Sequence, residues 1–204
     1  VMLQYASTDA GKGASLVGVE DAAGDWSGTT QEAVNTEVGF LLIRSGAPVN
    51  ALRAFSSAEQ AAIIAKSSAT DHQTQLADLL GNNRHVHFPR GRYNGSAAIT
   101  ITNTLHISGD PFAELRFTDG AYTALSFTSG SAARSKIENI FIRGTASVAP
   151  TVTLVRMDTA AGYSNISGCW FAYADLCLDL DGVYITSVYD NIFAVAKRYW
   201  RLDD

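Results

Sequence analysis

Ile137-Glu138-Asn139-Ile140-Phe141-Ile142 returns as Ile166-Ser167-Gly168-Cys169-Trp170-Phe171 and again as Val188-Tyr189-Asp190-Asn191-Ile192-Phe193. Aligned, the three phrases put Ile137, Ile166 and Val188 in one apolar column and Ile142, Phe171 and Phe193 in another, at intervals of 29 and 22 residues. Self-similarity at this period marks one supersecondary unit stacked on the next, each unable to bury its apolar face alone. β-Branched and aromatic residues fill the phrases and turn-forming residues separate them, so each phrase reads as short strand. The expected architecture is mainly β: the first coils of a right-handed parallel β-helix over 83–204.

Working back toward the N-terminus, residues from His85 onward alternate. His85-Val86-His87-Phe88 is followed by the pairs Ile99/Ile101, Leu105/Ile107, Leu115/Phe117 and Leu125/Phe127. Each pair puts two apolar side chains on one face of a short strand between Gly, Asp, Asn or Ser turns. An antiparallel sandwich has similar strands, but it does not explain a phrase recurring at coil length.

Residues 56–82 read as a helical cap. Ser56 with Glu59, and Thr70 with Gln73, have capping-box spacing. Leu76, Ala77, Leu79 and Leu80 then form a narrow stripe that needs an apolar surface beneath it, such as the first coil of a solenoid. Residues 1–55 read as a separate connector, with a capping box at Thr29 and Glu32 and a short apolar strand at Leu41-Leu42-Ile43. The glycines between Gly11 and Gly18 lack the spacing of a phosphate loop.

Composition narrows the function classes. Of 204 residues, 17% are charged and 47% hydrophobic, with net charge −5, which argues against disorder. No basic cluster exceeds two adjacent residues, so the footprint of a nucleic-acid partner is missing. No apolar run approaches the ~20 residues of a membrane span. The first residues carry no basic n-region, and the last, Trp200 to Asp204, carry no cap. An uncapped solenoid end is insoluble unless covered, so the chain is expected to be a piece of something longer. Cys169 is expected to face inward and Cys177 outward, which disfavours a disulfide between them. Two Cys and four scattered His give no zinc spacing. His85 and His87 share a face, but no third ligand accompanies them, and they read as an edge-strand pair beneath the cap. No metal or cofactor is expected.

Taken together the motifs resemble those of bacteriophage tailspikes with a pectate-lyase-like right-handed β-helix. Gly13-Ala14-Ser15-Leu16-Val17-Gly18 with Thr29-Thr30-Gln31 is similar to the connector that precedes the spike body. Thr70-Asp71-His72-Gln73-Thr74-Gln75-Leu76 resembles the family's short helix, with His72 in place of its second aspartate. Val86-His87-Phe88-Pro89-Arg90-Gly91-Arg92-Tyr93 resembles the strand and turn that open the first coil, and Ile107-Ser108-Gly109-Asp110 the next turn. The resemblance implies a homotrimer, attached to the virion tail, its baseplate or another spike protein. The complete protein is then expected to bind and degrade capsular or O-antigen polysaccharide at the host surface. These motifs are structural and transfer no catalytic residue. A free-standing secreted pectinase-like lyase and a purely structural adaptor are the competing expectations.

Glycoside hydrolysis uses two carboxylates, about 5–5.5 Å apart in retaining enzymes and about 6.5–9.5 Å apart in inverting ones. Asp179 and Asp181, two apart on one strand and therefore roughly 6.6 Å apart, are the best local pair, with Asp190 on the following coil. The competing reading makes Asp181-Gly182 a turn and these carboxylates merely solvated. Trp170, Tyr184, Tyr189 and Tyr199 are outward aromatics, suited to stacking on sugar rings or to a subunit interface.

Overall fold

A computed structural model describes residues 47–158, 161–181 and 186–203. The chain divides at Ala47/Pro48 into two units, and the following concerns the second. The helix and strand expected around Thr29 and Leu41, and the glycines of 11–18, lie outside the described residues.

In chain order the strands are β1 (Val49–Asn50), β2 (His85–Phe88), β3 (Gly91–Gly95), β4 (Ile99–Ile101), β5 (His106–Gly109), β6 (Ala113–Phe117) and β7 (Thr123–Phe127). They continue as β8 (Lys136–Glu138), β9 (Phe141–Gly144), β10 (Thr153–Met157), β11 (Asn165–Ser167), β12 (Trp170–Asp181), β13 (Ser187–Tyr189) and β14 (Ile192–Asp203). One sheet is ordered β1-β2-β5-β8-β11-β13; the other is ordered β3-β6-β9-β12-β10-β7-β4, with β14 against β12. Every pairing among the described residues is parallel. That rules out the antiparallel sandwich for this region. The second sheet curls back on itself through β12, whose first residues pair with β9 and whose later ones pair with β10. The protein is mainly β, built from stacked parallel strands.

Register follows the repeated phrase. Val86, Ile107, Ile137, Ile166 and Val188 stand on successive rungs, and the first four are fully buried. Leu115, Ile142, Phe171 and Phe193 form the second column, with Phe171 and Phe193 stacked at 5.4 Å. Leu125, Val155 and Leu178 form a third. Like packs on like because each rung presents the same pleat to the next.

The corner inside the phrase explains its polar residues. Asn139 (φ 55°), Gly168 (φ 63°) and Asp190 (φ 54°) hold equivalent places between the two strands of a rung, all left-handed. Glycine, Asn and Asp are the residues that visit this region most cheaply. The Asn191 amide then bridges rungs, accepting from Cys169 N–H and donating to the Ile166 carbonyl, both at 2.9 Å. Gly168→Ala is expected to cost about 1–2 kcal/mol, from the left-handed backbone and from a methyl pressing on Asn139 Oδ1. Thermal unfolding checks this; an unchanged midpoint would deny the corner its role.

Two α-helices, α1 (Ser57–Ile64) and α2 (Gln73–Asn82), form the cap. Ser56 caps α1 as expected, its hydroxyl accepting from Glu59 N–H. Leu76, Leu79 and Leu80 of α2 are buried where the helix packs on β3 and β4. Thr70 does not cap α2. The helix starts at Gln73, whose N–H donates to Asp71 Oδ1, while the Thr70 hydroxyl donates to Glu59. Glu59 also takes Ser68 and His72, so this carboxylate joins the two helices.

Two further expectations are corrected. Cys177 is buried, not outward, because Leu154 and Ala124 on adjacent rungs extend an apolar file along that face, both fully buried. Burial pushes its thiol up to about 12 and that of Cys169 up to about 11. The strand of His85 and His87 is not a free edge, since β1 pairs outside it with Asn50 opposite His87, although His85 lies beyond that two-residue pairing. Their rings turn outward to Ser108, each 3.0 Å from its hydroxyl.

Candidate functional site

The corner between the sheets opens outward into a cleft of about 550 Å³. Phe112, Phe141, Trp170 and Ile192 contribute apolar surface to it, and Lys66 and Asp190 contribute charge. Its wall crosses successive rungs: Phe141 lies beside Trp170, and Trp170 beside Ile192. The Phe141 and Trp170 rings stack at 5.0 Å. Trp170 is 47% exposed and Phe112 71%.

Phe112 is the least comfortable residue here. It has φ 71°, a left-handed conformation that is an outlier for a bulky side chain. The Arg90 guanidinium, 5.8 Å from the ring centroid, is its charged neighbour. Strain of this kind clusters at binding sites, where surrounding structure holds a side chain against its own preference.

A second hollow, of about 380 Å³, lies beside β13 and β14 and is lined by Tyr189, Asp190, Phe193, Tyr199 and Trp200 among others. Side-chain hydrogen bonds with Ser167 and Asn165 hold the Tyr189 hydroxyl below its ordinary value. Of the aromatics singled out from sequence, Trp170 therefore lines the first cleft and Tyr189 and Tyr199 the second, with Asp190 bordering both. Tyr184 lies outside the described residues.

The carboxylate pair fares differently. Asp179 is almost fully buried in a charge ladder, facing Arg156 on β10 and Arg201 on β14. Both of its oxygens accept from Arg201, each at 3.0 Å, and Arg156 Nε lies 3.9 Å away. A carboxylate so engaged is poorly placed to take a proton from water or substrate. Asp181 continues β12 opposite Asp203, and its side chain lies outside the described residues. Asp190 is exposed at its corner, with no second described carboxylate lining either hollow with it.

Sequence reading missed Phe112 and Phe141. Pro111 signals the turn that carries Phe112, and the aligned phrases already set Phe141 opposite Trp170, 29 residues on, which is the register the strands adopt. Among the described residues, no group of three or more His, Cys, Asp or Glu could hold a metal ion, and no helix is long and apolar enough to cross a membrane. No protein-family model, curated protein or solved structure matches this chain.

Proposed function

We propose that this chain is the virion-proximal part of a phage tailspike and that its stacked strands are the opening coils of a right-handed parallel β-helix. The complete spike would be a trimer on the virion tail that binds and degrades capsular or O-antigen polysaccharide at the host surface. The observation that carries the reading is the aromatic cleft crossing successive rungs. Rungs about 4.8 Å apart present a regular ladder of contacts to an extended glycan. Rings give a sugar broad apolar contact, while corner residues such as Asp190 supply polar groups. Three copies would multiply weak contacts along one polymer.

Within the spike, we assign this segment to attachment and binding rather than to cleavage. Asp179 occupied by arginine is the observation favouring that division of labour. Trp170→Ala is expected to weaken binding of the host's purified capsule about tenfold, the equivalent of 1.4 kcal/mol, with little change in stability. Biolayer interferometry on immobilised polysaccharide checks it, and light scattering on the same sample should report a trimer. Binding indifferent to Trp170, or a stable monomer that never meets glycan, would overturn the reading.

A further inference from the structure

Beside the cap lies another cavity, of about 310 Å³, lined by Ser68, Thr70, Asn94, Arg116, Thr118 and Thr145. Its lining is rich in hydroxyls, with the Asn94 amide, the Arg116 guanidinium and the Asp71 carboxylate beside them. Register explains the guanidinium: Asn94, Arg116 and Arg143 stand side by side on β3, β6 and β9. Arg92 neighbours Glu114 on the same strands.

Charge around Arg116 is unbalanced. Glu114 is 3% exposed and serves three cations: Arg92 at 3.3 Å, Lys66 at 3.4 Å and Arg143 at 3.9 Å. Arg116 is left outside that set. Its Nε is sealed from solvent and has no hydrogen-bond partner among the described residues. A buried N–H of this kind costs free energy unless something accepts from the group. Burial, and then the positive charges of Arg92 and Arg143, press the guanidinium below its ordinary value. Asp71 also lines the cavity, but its oxygens already accept from Gln73 N–H and the Ser96 hydroxyl. The cavity therefore presents a guanidinium outside the Glu114 ion pairs, a carboxylate whose oxygens are already engaged by neutral donors, and hydroxyl and amide groups.

We infer that this cavity binds the carboxylate of an acidic sugar, with Arg116 as the anion-binding group and the surrounding hydroxyls and amide meeting the ring hydroxyls. An arginine fork matches carboxylate geometry, and the hydroxyl-rich wall distinguishes a uronate from a bare anion. The inference rests on the glycan-binding reading and narrows it to acidic polysaccharides. It places a second contact point on the protein, apart from the aromatic cleft.

Isothermal titration of the full chain with D-glucuronate, D-glucose and inorganic sulfate tests it. Glucuronate should bind saturably, at least tenfold tighter than either comparison. Arg116→Gln should lose that binding by at least tenfold, while Arg116→Lys, which keeps the charge but not the fork, should retain part of it. Far-ultraviolet circular dichroism and the melting midpoint verify that both variants fold. No glucuronate binding, glucuronate binding unchanged in Arg116→Gln, or equal affinity for sulfate would each overturn the inference. If uronate fails while a capsule still binds through Trp170, the inference falls and the glycan reading stands. If no glycan binds by either route, both fall.

Discussion

Phe171→Ala is expected to lower the stability of the strand stack by about 4 kcal/mol, the range for emptying a buried aromatic site. Phe171 is fully buried, has Ile142 on one rung and Phe193 on the next, and stacks on the Phe193 ring. Truncation opens a cavity that neighbours on fixed rungs cannot close, because moving one strand breaks its register with two others. In a stack where each unit touches only its neighbours, the loss falls on the rungs that share the column. The adjacent Trp170→Ala is the internal control. A one-residue slip in register would exchange the faces of Trp170 and Phe171, and so would exchange the effects. Urea unfolding of the two variants decides it. A smaller loss for Phe171→Ala than for Trp170→Ala would mean that the inner and outer faces have been assigned the wrong way round.

What was legible in the sequence was what repeats. Ile137, Ile166 and Val188 share a column because each rung copies the pleat of the last, so spacing alone aligned them. The corner was not legible: each phrase read as one short strand, whereas Asn139, Gly168 and Asp190 turn the chain between two strands with a common left-handed backbone. Cys177 was misread because the fate of a strand's outer face depends on its neighbours. Leu154 and Ala124, far away in the chain, make that face apolar. Thr70 was misread because two claims competed for its hydroxyl, and Glu59 took it.

The candidate sites were the least legible part. Phe112, Phe141 and Trp170 come from three rungs, and Arg92, Glu114, Arg116 and Arg143 from three strands. Phe112 sits on the turn before β6, and the others alternate with core residues along their own strands. Only register turns the first set into a wall and the second into an unbalanced charge cluster. Asp179 shows the converse: its spacing from Asp181 suited catalysis, but Arg201, 22 residues on, already occupies it.

Gly144→Ala should be nearly as damaging as the loss of Phe171, for the opposite reason. Gly144 ends β9, where a Cβ would fall inside the van der Waals envelope of the Tyr173 carbonyl oxygen and come within 2.9 Å of Val152 Cγ1. Val152 could rotate away. The carbonyl cannot, because Tyr173 is itself held left-handed, at φ 57°, in the middle of β12. β12 is the strand through which the curled sheet passes from the β9 stack to the β10 stack. Displacing its backbone disturbs both stacks at once, so the cost should reach the upper end for overpacking, about 3 kcal/mol. Gly81→Ala supplies the contrast. It lies in α2, and a Cβ there would meet nothing within 4 Å, so helix propensity should make the change neutral or favourable by up to about 1 kcal/mol. Denaturant midpoints for the pair separate crowding from a general intolerance of added methyls. Equal stability of the two variants would mean that β9 and β12 do not approach this closely at the bend, and that the curl of the sheet is made elsewhere.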